Sequence, residues 1–191
     1  MGANPRLERV IVLDRDGTIV VDRGYLSDPA GLEFEAGAAA ALRLLAAAGH
    51  RLVVITNQSG VGRGRFPIAR VHEKNARLDA MVTAAGASLA GIYFCPHAPD
   101  AGCACRKPAQ GLMQQAAAEL RFDPAAAVVI GDKESDVEFG RRAGAETILL
   151  AADAPAAAGT RADSIAPDLL GAARLLLGRG SDPAPAAGPD E

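Results

Sequence analysis

The chain has 191 residues, of which 49% are apolar and 4% aromatic, and its formal net charge is −3. This length suits a single domain with a sizeable core, and the weakly acidic balance gives no electrostatic reason to expect nucleic acid or an anionic membrane as a partner. No apolar run approaches the roughly 20 residues that span a bilayer, and no signal peptide is recognisable. We therefore expect a cytoplasmic protein.

Apolar, β-branched strands alternate with helix-forming segments along the chain. Strands are predicted at residues 9–13, 52–55, 91–95, 127–130 and 147–150. Helices are predicted at residues 38–48, 67–85, 111–120, 137–143 and 167–177. This alternation is typical of an α/β fold, here a Rossmann-like, doubly wound, mostly parallel sheet with helices on both faces. No large cap domain is visible, so we predict one domain over residues 1–177 and a disordered Pro/Ala/Gly-rich tail over residues 178–191.

Polar side chains follow three of these strands at the point where each strand ends. Asp14 and Asp16 come directly after the apolar run V-I-V-L, and Gly17 then allows the backbone to turn. Thr56 follows the second strand and Asp132 the fourth. Because ligands of parallel α/β sheets bind at the carboxyl ends of the strands, we expect these side chains to form one site. The alternative for the first stretch alone is an ordinary Asp-Gly turn.

These residue types suit the hydrolysis of a phosphate monoester. Asp14 can attack phosphorus and form an aspartyl-phosphate, and Asp16 can protonate the leaving oxygen and later take a proton from water. Asp132 can complete an oxygen-ligand shell for Mg²⁺, and three neighbouring acids call for such a cation because they otherwise repel one another. Thr56 offers a hydroxyl and an N–H to the phosphoryl oxygens. A later loop adds two positive charges, Arg106 and Lys107.

Three thiols and one imidazole fall within eleven residues, at Cys95, His97, Cys103 and Cys105. This four-ligand set is typical of a tetrahedral, structural Zn²⁺ site, and an odd number of cysteines argues against a disulfide framework. The alternative is a set of buried cysteines beside a surface histidine. Because an irregular loop has little core of its own, a metal would fix it. We therefore hypothesise a zinc-stabilised loop that positions the two cations following it.

Four short motifs in this order resemble the haloacid dehalogenase superfamily, and most closely its small-capped bacterial bisphosphate phosphatases. They are D-R-D-G-T at 14–18, T-N-Q-S-G at 56–60, C-R-K-P at 105–108 and G-D-K-x-x-D at 131–136. The resemblance extends over residues 10–150. It implies that Asp14 is the nucleophile and Asp16 the general acid/base. It also implies Mg²⁺ held by three groups: Asp14, the backbone carbonyl of Asp16, and Asp132.

The resemblance further implies that Thr56 and Lys107 stabilise the phosphoryl group, that Arg106 recognises substrate and that Asp136 supports its loop rather than binding the ion. The full set of residues expected to bind substrate is Asp22, Arg23, Gly24, Tyr25, Thr56, Asn57, Gln58, Ser59, Arg63, Arg106, Lys107 and Lys133. The substrate expected for such a site is a small sugar bisphosphate, bound by a monomeric enzyme.

Two branches of the superfamily share such a zinc loop. One comprises D-glycero-D-manno-heptose 1,7-bisphosphate 7-phosphatases of lipopolysaccharide precursor synthesis, and the other histidinol-phosphatases. The run N-Q-S-G-V-G-R-G, the Gly24-Tyr25 pair and Lys133 are typical of the heptose branch, in which Arg63 would suit a second phosphate. The five residues between His97 and Cys103 match the histidinol branch as well. We expect a heptose bisphosphatase; a histidinol-phosphatase and a non-catalytic, zinc-stabilised binding protein are the alternatives.

Overall fold

A computed structural model describes residues 8–153 and 157–179, which form a six-stranded sheet flanked by five helices. Strands β1 to β6 are Val10–Leu13, Arg51–Asn57, Leu89–Cys95, Val128–Gly131, Glu146–Leu150 and Ser164–Ala166. Helices α1 to α5 are Ala38–Ala47, Ile68–Ala84, Gly111–Leu120, Glu134–Ala143 and Leu169–Arg179. Short 3-10 helices lie at Pro29–Gly31 and Pro124–Ala126. No helix within these ranges is long and apolar enough to cross a membrane.

All neighbouring strands are parallel, in the order β3-β2-β1-β4-β5-β6. The order reverses between β1 and β4, where Leu13 pairs with Ile130 and the N–H of Asp14 still donates to the Ile130 carbonyl at 3.0 Å. Strands that leave in opposite directions from such a point open a crevice at their carboxyl ends. The first acidic motif therefore begins at the switch point of the sheet.

Two apolar layers cover the faces of the sheet, because successive strand residues point to opposite sides. Ile11 and Leu13 of β1 belong to the layer that packs against α1, α2 and α5. Val10 and Val12 belong to the layer that packs against α3 and α4, in which Phe139 is fully buried. Burial on both faces explains why the central strands are continuous apolar runs.

The predicted α/β class, the parallel sheet and the placement of helices on both faces are confirmed. Strand β6 was not predicted, because it is three residues long and its one large apolar side chain, Ile165, is exposed. Helix α5 runs to Arg179, two residues past its predicted end. The rest of the predicted tail and residues 1–7 lie outside the described residues, and the single domain over 1–177 stays a prediction. In the described ranges no second folded unit is inserted into the sheet.

Gly140 lies in α4 where the helix contacts the sheet. A Cβ there would lie 2.5 Å from Thr147 Cγ2 and 3.0 Å from Val129 Cβ. Replacing glycine by alanine within a helix usually stabilises by up to about 1 kcal/mol, but overpacking costs about 1–3 kcal/mol. We expect Gly140→Ala to lower the free energy of unfolding in urea. Gly178→Ala in α5 is the control and should not lower it, because the added Cβ has no atom of the described part of the chain within 4 Å.

Candidate active site

The turn after β1 holds the two motif acids in place. The carbonyl of Arg15 accepts hydrogen bonds from the N–H groups of Ile19 and Val20 at 2.9 and 3.0 Å, which closes the turn. Gly17 has φ +82°, and a Cβ there would lie 2.5 Å from Asp132 Oδ2. Only glycine combines this left-handed backbone with so close an approach of the fourth-strand carboxylate.

Lys107 lies at the centre of the site and is 4% exposed. Its Nζ donates to the Ile55 carbonyl at 2.6 Å and lies 3.0 Å from Asp14 Oδ1 and 2.7 Å from Asp136 Oδ1. Burial acts to lower the pKa of Lys107, but the two carboxylates outweigh burial and hold this pKa above its usual value. The lysine therefore remains charged and joins β1, β2 and α4.

Three carboxylates lie close together at this site, where Lys107 supplies one buried ammonium group. Oxygen atoms of Asp14, Asp132 and Asp136 lie within 4.8 Å of one another. Burial raises the pKa of Asp132, and it raises the pKa of Asp136 to about 6 against the opposing pull of Lys107. Asp132 Oδ1 is buried and has no hydrogen-bond partner among the described residues. A buried carboxylate oxygen without a donor, beside two further carboxylates, fits a hard divalent cation.

A cavity of about 350 Å³ opens over Asp14, Asp16 and Lys107. Ten of the twelve residues predicted to bind substrate line it: Asp22, Gly24, Tyr25, Thr56, Asn57, Gln58, Ser59, Arg106, Lys107 and Lys133. Its remaining lining residues are Gly60, Phe66, Ser135 and Asp136. Asp132 is not among the lining residues, but its carboxylate lies within 4.8 Å of that of Asp14, which does line the cavity.

Two predicted substrate residues lie away from this cavity. Arg23 pairs with Glu33 at 2.6 Å, across the loop that carries it. Arg63 is exposed and is not part of the cavity lining. Its neighbour Arg65 lies over the Tyr25 ring at 5.4 Å and so connects the two loops at the cavity rim. Arg63, the cation predicted to suit a second phosphate, is not part of the cavity lining, whereas Lys133 is.

Asn57 connects its strand to the loop that carries Lys107. Its side-chain Nδ2 donates to the Lys107 carbonyl at 3.2 Å, and its Oδ1 accepts from the Lys107 N–H at 3.0 Å. This paired contact fixes the backbone of Lys107 against β2. Asn57 was predicted only to bind substrate, and the structure adds this contact with the backbone of a neighbouring site residue.

A buried polar network behind the cavity was not predicted. Arg15 and Lys74 are each 2% exposed, and Asn75 is buried beside them. The sequence could have indicated Arg15, because this residue lies between the two acids of the first motif. Lys74 could have been found from helical spacing, because it falls on the same face of α2 as the buried Val71 and Leu78.

The four predicted zinc ligands converge at the end of β3. Cys105 Sγ lies 3.0 Å from Cys95 Sγ and 3.5 Å from Cys103 Sγ, and His97 Nδ1 lies 3.1 Å from Cys105 Sγ. All three cysteines are free thiols. Ligands bound at about 2.0–2.3 Å around a tetrahedral ion lie about 3.3–3.8 Å apart. The donor set is that of one tetrahedral metal ion, and the measured separations of 3.0 to 3.5 Å fall within or slightly below this range.

Comparisons with known proteins agree with this geometry. A family model described as HAD-hydrolase-like matches residues 104–175. D-glycero-β-D-manno-heptose-1,7-bisphosphate 7-phosphatase from Helicobacter pylori is 40% identical over 148 residues, 77% of this chain and 85% of that protein. The protein of the same name from Yersinia pestis is 40% identical over 147 residues, 73% of this chain and 78% of that protein. The chain belongs to the haloacid dehalogenase superfamily, in its family of heptose bisphosphate phosphatases.

A solved structure of this family superimposes closely. The D,D-heptose 1,7-bisphosphate phosphatase from B. bronchiseptica, complexed with magnesium and phosphate, gives a TM-score of 0.82 at 30% identity, with 90% of this chain and 99% of that chain covered. The expected superfamily and the expected phosphoric monoester hydrolase are thus confirmed, and the alternative of a non-catalytic binding protein is not supported. The roles of individual site residues stay predictions.

Proposed function

We propose that this enzyme removes the C7 phosphate of D-glycero-D-manno-heptose 1,7-bisphosphate through an aspartyl-phosphate on Asp14. The observation that carries the proposal is the convergence of Asp14, Asp16, Thr56 and Lys107 on one cavity at the switch point of the sheet. Relatives of this name at 40% identity support the choice of substrate. A cytoplasmic, monomeric enzyme acting on a small sugar bisphosphate is part of the same proposal.

The proposed reaction has two steps. In the first, a carboxylate oxygen of Asp14 attacks phosphorus, the bond to the sugar oxygen breaks, and Asp16 gives its proton to that oxygen. In the second, Asp16 takes a proton from water, the resulting hydroxide attacks phosphorus, and phosphate leaves as the Asp14 carboxylate is restored. Thr56 binds the phosphoryl oxygens. Lys107, whose Nζ is 3.0 Å from Asp14 Oδ1, holds the nucleophile and supplies positive charge.

Two metals belong to this proposal. We assign Mg²⁺ to Asp14, the backbone carbonyl of Asp16, and Asp132, with the orphaned Asp132 Oδ1 as the supporting observation. When bound, such an ion neutralises charge that builds up on the phosphoryl oxygens. We assign a structural Zn²⁺ to Cys95, His97, Cys103 and Cys105.

Two cations can meet the second phosphate of the substrate. Arg106 and Lys133 both line the cavity. Lys133 Nζ lies 3.2 Å from Asp132 Oδ2 and 3.3 Å from Asp22 Oδ2, and its side chain is half exposed. A bisphosphate would thus find Lys107 beside the proposed nucleophile and two further cations, Arg106 and Lys133, on the lining of the same cavity. This arrangement favours the heptose bisphosphate over histidinol phosphate.

Asp14→Asn tests the covalent step. The amide is a poor nucleophile, so phosphate release in Mg²⁺ should fall on the order of 10⁴-fold or more, while substrate still binds by calorimetry. The fold should survive, because Lys107 keeps its contacts with Asp136 and the Ile55 carbonyl. An Asp14→Asn enzyme within tenfold of the parent rate would exclude the aspartyl-phosphate.

Substrate choice is tested by measuring kcat/KM for heptose 1,7-bisphosphate and histidinol phosphate side by side. We expect the bisphosphate to be favoured by at least about 10²-fold, because histidinol phosphate has no second phosphate to pair with Arg106 and Lys133. A ratio in favour of histidinol phosphate would overturn the substrate assignment and leave the chemistry on Asp14 intact.

Zinc removal tests the role of the cysteine loop. Chelation followed by return of Mg²⁺ alone should lower kcat/KM on the order of 10-fold or more, because Arg106 and Lys107 follow Cys105 directly. The far-UV circular dichroism of the sheet should persist. Adding Zn²⁺ back should restore activity, and a zinc-free enzyme of full activity would contradict the proposed role.

A further inference from the structure

The buried cations behind the cavity converge on one side-chain amide. Gln58 Oε1 accepts a hydrogen bond from Arg15 Nη2 at 2.7 Å and from Lys74 Nζ at 3.3 Å. On the other side of the same amide, Gln58 Nε2 donates to Asp16 Oδ2 at 2.8 Å and to Thr56 Oγ1 at 3.0 Å. Gln58 therefore lies between Lys74 and Asp16, while Arg15 contacts both the Gln58 amide and Asp16 directly.

The charges dictate which way this amide points. With Oε1 towards the cations, the NH₂ group faces the Asp16 carboxylate and both ends are satisfied. The flipped amide would put its NH₂ group against Arg15 and Lys74 and its carbonyl oxygen against Asp16. Both contacts would then be repulsive in a site sheltered from water. Lys74 thus helps to keep a hydrogen-bond donor aimed at Asp16.

Lys74 lies on α2 and makes no hydrogen bond to Asp16. Two further contacts hold its ammonium group in place. Its Nζ donates to the Leu26 carbonyl at 2.9 Å, on the loop whose tip lines the cavity. It also lies over the ring of Phe66 at 4.3 Å, and Phe66 is itself part of the cavity wall. The ammonium is therefore fixed in place relative to both the loop and the wall.

We propose that Lys74 is a positioning residue for Asp16 and acts through the amide of Gln58. The proposal rests on the proposed role of Asp16 as the acid that protonates the leaving oxygen. A purely apolar side chain would fill this space without the cost of burying a charge beside Arg15. That cost is visible in the pKa of Lys74, which burial, and next the Arg15 charge, lower to about 8.

Two substrates whose leaving groups differ in basicity can distinguish a positioning role of Lys74 from a packing role. A sugar alkoxide needs a proton as it departs, whereas p-nitrophenolate leaves without one. Because kcat/KM reports only steps up to departure of the leaving group, we compare it for heptose 1,7-bisphosphate and p-nitrophenyl phosphate. Lys74→Met should lower kcat/KM for the sugar substrate by roughly 10- to 100-fold and for the aryl substrate by less than about threefold.

Gln58→Glu is a second variant, which keeps the proposal testable if Lys74→Met fails to fold. The new carboxylate keeps its attraction to Arg15 and Lys74, which supports the fold, but it loses both donations from Nε2 and places an oxygen against Asp16. It should show the same selective loss on the sugar substrate. Leu78→Ala, a buried change on the same helix outside the network, should lower the melting temperature and leave the ratio of the two kcat/KM values unchanged.

Asp16→Asn distinguishes the two proposals. If Asp16→Asn loses the sugar substrate selectively while Lys74→Met and Gln58→Glu do not, the positioning role is wrong and the proposed function stands. If Asp16→Asn affects both substrates equally, the role of Asp16 as the acid fails first. Equal losses on both substrates for the folded Lys74→Met and Gln58→Glu variants, beside a selective loss for Asp16→Asn, would assign Lys74 to packing alone.

Discussion

The buried ammonium of Lys107 is the interaction on which the site depends. It lies between the carboxylates of Asp14 and Asp136 and the carbonyl of Ile55, with only 4% of the residue exposed. Removing one partner of such a buried group leaves an uncompensated charge and typically costs about 3–5 kcal/mol. The lysine comes from an irregular loop, so its position depends on whatever fixes that loop.

Two devices fix the loop. The side chain of Asn57 holds the backbone of Lys107 against β2 from one side. The four-ligand cluster that ends at Cys105 lies immediately before it in the chain. A loop without a hydrophobic core of its own is thus held by a side-chain amide and lies beside four donors that could hold a metal ion.

Each acid of the first motif has its own buried cation. Asp14 is paired with Lys107 on the side of α4, and Asp16 is paired with Arg15, whose Nη2 lies 2.9 Å from Asp16 Oδ2. Two carboxylates two residues apart therefore lie in different surroundings, which is how neighbouring acids take on different tasks. Asp14 lies beside the carboxylates of Asp132 and Asp136, whereas Asp16 lies beside the amide of Gln58.

The sequence by itself determined that polar residues follow the ends of three strands, and it identified the acids, the cysteine set and most residues of the cavity lining. These features are local: an apolar run followed by Asp14, or four ligands within eleven residues, can be recognised without knowing what lies opposite. Tertiary structure alone decided that Arg63 lies outside the cavity, that Asn57 clamps Lys107 and that Lys74 reaches Gln58. Those contacts join residues up to 50 positions apart in the chain. They depend on the course of the loops and on which face each helix turns towards the sheet. Their geometry depends on how helices and loops pack on the sheet, which no short stretch of sequence encodes.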